Sequence, residues 1–293
     1  MLTLPPMDLG LVVRSHGWYD LPPFEWDAKE KNLKLVFLEG EIPVRVEVAE
    51  RPGGLVAQAR AIAPSARASD ISSDAVLRVL ERVLDLKANL SSFHSICAAD
   101  PRFAWVARRG AGRMLRAPTL FEDAVKVLAT TNCTWALTKL MVKNLIDRFD
   151  RGGAFPDAPF VAGLSARVLL AAKWGYRAPY LAVFARRVAS GKLDLGRWED
   201  PERPDEEVEK EIRAEKGFGP YAADTLGRLL GRHRRLGLDA WSRKKAMALR
   251  FRGRAVKDAR IARFYAPFGA HAGLAFWLDM TRNWHEAKET VWP

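Results

Sequence analysis

The chain has only two cysteines in 293 residues, Cys97 and Cys133, and they lie far apart. Such a pair forms no metal-ligand cluster. No run of apolar residues reaches membrane-spanning length, so no membrane partner is expected. The first residues, Met-Leu-Thr-Leu-Pro-Pro-Met-Asp, lack a basic patch followed by a hydrophobic stretch. A signal peptide is therefore not expected, and a cytoplasmic location is. No internal repeat, low-complexity tract or clear linker interrupts the chain. A His-x-x-x-His pair, a Walker loop and a serine nucleophile elbow are all missing. Acids are also scarce where bases are dense: between Lys216 and Arg263 the only carboxylates are Asp224, Asp239 and Asp258.

What is present is a basic globular chain. Apolar residues make up 48%, the formal net charge is +12 and the estimated pI is 9.9. The length suffices for one large or two ordinary domains with a well-buried core. Charge is distributed unevenly. Acids and bases nearly cancel up to Pro118, Asp194 to Glu215 is acidic, and the basic stretch begins at Lys216. A concentrated basic surface favours polyanions, although a solvated surface kept for solubility has the same composition.

The first 70 residues read as an antiparallel β domain and residues 71–293 as a helical domain. Leu33 to Leu38 has strand composition, and Pro43 to Val48 alternates apolar with polar residues. Glu39-Gly40-Glu41 suits the turn between them, and Gly53 to Ala59 suits a third strand. Before these strands, Ser15 to Tyr19 and Phe24 to Trp26 are aromatic-rich and broken by Pro22-Pro23. From Ser73 the pattern turns helical, with Val76, Leu77, Leu80, Val83 and Leu84 forming one apolar stripe behind Ser and Asp caps. Further helices are predicted over Leu120 to Thr130, Trp135 to Phe149, Arg167 to Trp174, Pro179 to Ala189, Arg243 to Arg254, Arg260 to Ala266 and Leu274 to Trp284. The acids of Asp194 to Glu215 are expected to point away from any bound duplex.

The most informative stretch runs from Lys216 to Lys245. Gly217 and Gly219 bracket one apolar residue, which predicts a tight hairpin between two helices, placed at 216–221. Pro220 suits the first turn of the second helix. The free N–H groups of that helix start form a ready phosphate site. One acid, Asp239, follows the helix within apolar and basic surroundings.

Lys216 to Asp239 resembles the hairpin and trailing aspartate of the helix–hairpin–helix DNA glycosylase superfamily. Two further segments resemble its 8-oxoguanine branch: Leu128 to Trp135, containing Asn132, and Trp174 to Ala178, containing Tyr176 and Arg177. The order and spacing agree over about the last two thirds of the chain. The resemblance implies a mostly helical fold with a small N-terminal antiparallel sheet and a monomer acting on double-stranded DNA, nucleoid-associated in a bacterium. The two cysteines exclude the four-cysteine iron–sulfur loop of some relatives. No cofactor is required, and a structural monovalent cation on hairpin carbonyls is implied.

Asp239 is the residue the resemblance assigns to catalysis. A fixed carboxylate stabilises the oxocarbenium-like sugar that forms as an N-glycosidic bond breaks. Asp239 could stabilise that cation, orient or deprotonate the attacking water, or serve only as the N-cap of the helix that follows. Bifunctional relatives carry a lysine nucleophile at the position of Tyr221, so a monofunctional hydrolase is expected. Lys216 precedes the hairpin and would face elsewhere. In this respect the chain departs from the 8-oxoguanine enzymes and resembles the bacterial 3-methyladenine enzymes.

Target bases lie inside the stack and must be extruded. The resemblance assigns Asn132 to the gap, Tyr176 to a wedge beside the orphaned base and Arg177 to hydrogen bonds with it. An interhelical turn with a surface Arg, and a helix cap at Asn132, are the plainer readings. Trp135, Phe276, Trp277 and Met280 join Tyr221 as expected pocket walls, where aromatic faces would bind a cationic alkylated base. Core packing explains each of them equally well. His271, between two glycines, is placed near the site or packed away from it. Backbone N–H groups of Gly217, Gly219 and Tyr221 are expected on phosphate, with Arg243, Lys244 and Lys245 adding charge. The competing reading is a non-catalytic protein that senses distorted duplex; a weaker one is a lyase using Lys216.

Overall fold

The structure, a computed structural model, describes residues 1–62 and 71–286. The expected boundary at residue 70 lies outside the described residues. Five strands form one antiparallel sheet: β1 (Leu2–Leu4), β2 (Glu25–Asp27), β3 (Asn32–Glu39), β4 (Ile42–Arg51) and β5 (Gly54–Ala61). Their order is β1-β5-β4-β3-β2. The alternation read from the sequence sets the register. Leu33, Leu35 and Phe37 lie opposite Val48, Val46 and Val44, and all six are buried. Gly40 turns the β3–β4 hairpin at φ +58°, a conformation glycine reaches without a Cβ penalty.

The segment between β1 and β2 is helical and not extended. It forms a short helix, Leu9–Val13, and a 3-10 turn, Gly17–Asp20. Long-range hydrogen bonds tie this segment to the helical body. The Leu115 amide donates to Ser15 Oγ at 2.9 Å, Trp18 Nε1 donates to Asp123 at 2.8 Å, and Trp277 Nε1 donates to the Ser15 carbonyl at 2.7 Å. Trp135 Nε1 donates to Asp20 at 2.7 Å. Each such bond contributes about 1 kcal/mol net, and more is lost when its breaking leaves a buried group unpaired.

The helical body centres on Leu120–Thr130, whose residues from Leu120 to Ala129 are all buried. Thr119 caps it by accepting from the Glu122 amide. Helix Trp135–Phe149 follows, capped by Thr134. Helices Asp205–Ala214 and Pro220–Leu229 form the expected hairpin, and the second packs on Leu120–Thr130. Helices Ala240–Arg250 and Ala272–Glu286 close the body side by side.

The acidic segment before the hairpin has a specific structural role. Asp205 pairs with Arg232 at 2.7 Å, Glu206 with Arg234 at 3.8 Å and Glu209 with Arg235 at 2.9 Å. Part of the basic stretch therefore faces this acidic helix and is not free for a polyanion. Among the described residues, no helix is long and apolar enough to cross a membrane.

Candidate active site

The hairpin turn is built by its glycines and one aromatic plug. Gly217 has φ +94°, and a Cβ there would stand 2.7 Å from Leu128 Cδ1. The positive φ strains any other residue here, and a side chain would also have to displace the Leu128 tip. Phe218 is buried, its ring 5.1 Å from that of Phe184 on helix Ala178–Ala189. Glu215 pairs with Arg187 at 3.1 Å and fixes the turn to the preceding helix pair. Gly219 is the N-cap of Pro220–Leu229 and supplies no side chain to the free amides. A Cβ at Gly219 would meet nothing within 4 Å, so this helix start is open.

Two depressions meet beside the hairpin. The first is a cavity of about 370 Å³ between the N-terminal segment, helix Pro220–Leu229 and the two closing helices. Its aromatic walls are Trp18, Trp135, Tyr221, Trp241, Trp277 and Trp284. The second is an open cleft of about 930 Å³ along the hairpin turn, bordered by Asn132, Tyr176, Lys216, Gly217, Gly219 and Arg243. Tyr221, Asp239 and Trp241 line both. A nucleotide strand in the cleft would thus have the cavity open beside it.

Asp239 stands at this junction. It caps helix Ala240–Arg250 in a reciprocal capping box. The Ser242 amide donates to its Oδ1 at 2.7 Å, and its own amide donates to Ser242 Oγ at 2.9 Å. The cap occupies one carboxylate oxygen and fixes the rotamer, leaving Oδ2 for the depression. The two roles weighed for Asp239, cap and reactive acid, are compatible in one geometry.

Helix Pro220–Leu229 presents Tyr221, Thr225 and Arg228 to the cavity. Their i, i+4, i+7 spacing puts them on one face. Burial raises the Tyr221 hydroxyl above its ordinary pKa, and the neighbouring Asp239 charge adds to this. Arg228 is 3% exposed, and burial lowers its pKa to about 10. Its Nη2 donates to the Leu236 carbonyl at 2.9 Å, and its guanidinium lies 4.5 Å from the Trp277 ring centroid. His16 is buried on the opposite wall with its pKa lowered to about 3, chiefly by desolvation. Its Nε2 contacts the Leu115 carbonyl, which can only accept, so that nitrogen carries the proton.

Several expected site residues lie elsewhere. Phe276 and Met280 are fully buried, and Phe276 packs 5.2 Å from Tyr265. They share a face at i, i+4 that belongs to the core. The cavity takes the neighbouring face instead, through Trp277 and Trp284 seven residues apart. His271 bonds Ser92 Oγ at 3.1 Å and does not line the cavity. Arg177, expected to reach an orphaned base, is buried. It donates to the carbonyls of Thr131 and Asn132 and stacks 4.4 Å from the Tyr176 ring. It holds the Asn132 loop instead of projecting from it. Asn132 is exposed at φ +43° and caps neither neighbouring helix, since Thr131 ends the first and Thr134 starts the second. Tyr176 is 53% exposed and borders the cleft.

The basic trio after Asp239 also divides. Arg243 is paired bidentately with Asp258 at 2.8 and 2.9 Å. Lys244 is exposed. Lys245 turns into the cavity, donates to Asn283 at 2.6 Å and sits 5.2 Å over the Trp241 ring, with its pKa lowered by burial. The sequence reading missed Arg228, Trp241 and Trp284; the aromatic segment Ser15 to Tyr19, which the family resemblance brings near the base pocket, does reach the cavity through His16 and Trp18. For Arg228 a signal existed: a lysine position at 221 implies that 225 and 228 share its face.

No protein-family model matches the chain, and no curated protein matches it significantly. Solved structures do. The 8-oxoguanine glycosylase/lyase of Clostridium acetobutylicum, bound to double-stranded DNA containing cytosine opposite 8-oxoG, superposes with a TM-score of 0.73 at 19% identity, over 94% of this chain and 91% of that one. The 3-methyladenine DNA glycosylase of Archaeoglobus fulgidus superposes with a TM-score of 0.74 at 17% identity, over 96% of this chain and 99% of that one.

The chain has the helix–hairpin–helix DNA glycosylase fold.

A third neighbour, the 3-methyladenine DNA glycosylase of Schizosaccharomyces pombe in complex with abasic DNA, has a TM-score of 0.56 at 16% identity, over 69% of this chain and 100% of that one. In this chain's version of the glycosylase fold, the hairpin, the aspartate helix and the Trp-lined cavity converge on one opening.

Proposed function

We propose that this protein is a monofunctional DNA glycosylase. It hydrolyses the N-glycosidic bond of a damaged or modified base turned out of duplex DNA, the first step of base excision repair. One observation carries the reading: Asp239 lies where the hairpin cleft opens into the aromatic cavity, with its rotamer fixed and one oxygen uncommitted.

In this reading the strand lies along the cleft. Amides at the start of Pro220–Leu229, uncapped by any side chain, bind a phosphate. The lesion base enters the cavity and its sugar remains at the rim beside Asp239. The C1′–N bond breaks, its electron pair leaves with the base, and the base takes up a proton. Asp239 stabilises the cationic sugar and orients a water, whose oxygen bonds to C1′ as its proton departs. A monovalent cation at the hairpin would rest on turn carbonyls. Among the described residues, those of Lys216 and Gly217 accept no backbone hydrogen bond, whereas that of Glu215 is taken by the Phe218 amide. Such an ion would brace the turn, and no reaction step passes through it.

The nucleophile position supports hydrolysis over lyase chemistry. Tyr221 stands there, raised in pKa by burial and unable to form a Schiff base. Lys216 borders the outer cleft and not the cavity. Lys245 does line the cavity, but it is six residues beyond Asp239, about 9 Å along the helix, on the base side of the sugar.

The test uses duplexes carrying single lesions, covering both alkylated and oxidised bases, followed by alkali. Strand cleavage only after alkali, without a borohydride-trapped adduct, is the expected result. Cleavage without alkali, or a trapped adduct, contradicts the monofunctional reading. Lesion binding with no release across the whole panel would favour a non-catalytic sensor.

A further inference from the structure

We propose that Arg228 reads the extruded base, and that the cavity selects a neutral base presenting a carbonyl acceptor over an N-alkylated cation. The inference rests on the glycosylase reading above and deepens it by naming the class of base.

The guanidinium forms part of the cavity wall. Its Nη2 is used by the Leu236 carbonyl, and Nε, covered by protein, has no hydrogen-bond partner among the described residues. An incompletely satisfied buried charge is costly, and a small turn of the side chain toward the cavity would offer a donor to a ligand acceptor. The groups that support the charge on Arg228 are Asp224, Asp239 and the Tyr221 hydroxyl, with the neutral imidazoles of His16 and His233 also near it. Asp224 is itself engaged by the Gly237 amide at 3.1 Å, and Asp239 by its cap. Neither carboxylate makes a hydrogen bond to Arg228, so the guanidinium is neutralised only at a distance.

Two of the six aromatic walls, which alone would welcome a cationic base, already serve the protein's own cations. Arg228 lies over Trp277 at 4.5 Å and Lys245 over Trp241 at 5.2 Å. A base carrying a fixed positive charge would enter a cavity lined by two cations, Arg228 and Lys245, which repel it. A carbonyl oxygen or ring nitrogen would instead accept from Arg228, in the manner of arginine on a guanine edge. His16 adds a complementary partner. It is held neutral with its proton on Nε2 toward Leu115, so its other nitrogen accepts a hydrogen bond. A lactam edge, with an N–H beside a C=O, satisfies an acceptor and a donor together.

The test measures single-turnover release of hypoxanthine, 8-oxoguanine and 7-methylguanine from otherwise identical duplexes by the full chain, Arg228→Met and Arg228→Lys, with thermal melts confirming that each variant is folded. Expected is a preference of the parent for at least one neutral lactam base over 7-methylguanine, by roughly tenfold or more. Arg228→Met should lose neutral-base release by roughly 10- to 100-fold and narrow or reverse the preference. Arg228→Lys should also lose neutral-base release, because the fork is gone, while still rejecting 7-methylguanine, because the charge remains. Faster release of 7-methylguanine by the parent, or an unchanged preference in folded Arg228→Met, overturns the inference. Should no base be released at all, the glycosylase reading fails, and affinities for duplexes with non-hydrolysable 2′-fluoro nucleotides decide separately. Tighter binding of the hypoxanthine duplex than of the 7-methylguanine duplex sustains Arg228 selectivity. Equal or reversed affinities overturn it.

Discussion

At the scale of single residues, Asp239 illustrates how one side chain can hold a helix and face a reaction. Its cap and its chemistry separate by substitution. Asn caps as well as Asp, so Asp239→Asn should melt within about 0.5 kcal/mol of the parent, whereas Asp239→Ala should lose about 1 kcal/mol with its cap. Both should fail in base release. Arg177 makes the opposite point. The matching segment suggested a finger toward an orphaned base, but three hydrogen bonds turn it inward onto the Thr131–Asn132 loop. Arg177→Ala should therefore destabilise the fold by about 1–3 kcal/mol in denaturant titrations. Tyr176→Ala, at an exposed position, should leave stability within about 0.5 kcal/mol and weaken binding to lesion duplex.

At the scale of elements, the hairpin glycines were legible from spacing alone, but their duties differ. Gly217 meets both conditions that demand glycine, a positive φ and a close approach to Leu128. Gly217→Ala should cost more than about 1 kcal/mol and disturb the turn. Gly219 has open space and an ordinary φ of −69°. Gly219→Asp places a capping carboxylate at the helix start, which should hold or raise stability by about 0.5–1 kcal/mol. The same charge occupies the amides and repels phosphate, so duplex affinity should fall about tenfold or more. Thermal melts and fluorescence anisotropy on one protein sample check both signs. A loss of stability together with unchanged affinity would show that this helix start does not contact DNA.

At the scale of the whole molecule, buried ionisable groups set the pH response. His16 and His233 are lowered to about 3 and His285 to about 4, each mainly by desolvation. All three are neutral in the folded protein, while unfolded histidine titrates near 6.5. Their contribution is fully present above about pH 6.5 and is lost as pH falls toward their folded values. Glu122 acts in the opposite sense, raised by burial to about 7. Acidification through the range between its unfolded and folded values adds stability. Asp85 and Asp224, also raised by burial, act in the same sense as Glu122. With three histidines each taking up a proton on unfolding, stability should still fall on acidification from pH 7 to 5, by about 1–3 kcal/mol per pH unit, as chemical denaturation at pH 5, 6 and 7 would measure.

This scale also separates what the chain's order revealed from what only folding could bring together. Helix limits such as Leu120–Thr130 and Trp135–Phe149 follow from local apolar periodicity and are found where expected. The hairpin and Asp239 are local too. The cavity is not: His16 and Trp18 meet Arg228 and Trp277 across more than two hundred residues. Pairings such as Asp205 with Arg232 or Arg243 with Asp258 decide which bases stay free, and no sequence window contains both the pair and its geometry. Trp277 was expected in the cavity and lines it, but naming Phe276 and Met280 beside it and omitting Trp284 was an error of helical face, since all four are apolar and only packing selects between them.

The central claim is that Asp239 drives hydrolytic release of an extruded base. The most direct measurement is single-turnover base release, identified by mass, from a lesion duplex by the parent and by Asp239→Asn. The account predicts an intact free base and an alkali-labile strand with the parent. It predicts a rate lower by roughly 10²–10³ or more for Asp239→Asn, with lesion affinity and melting behaviour retained. Release at the parental rate by folded Asp239→Asn would contradict it.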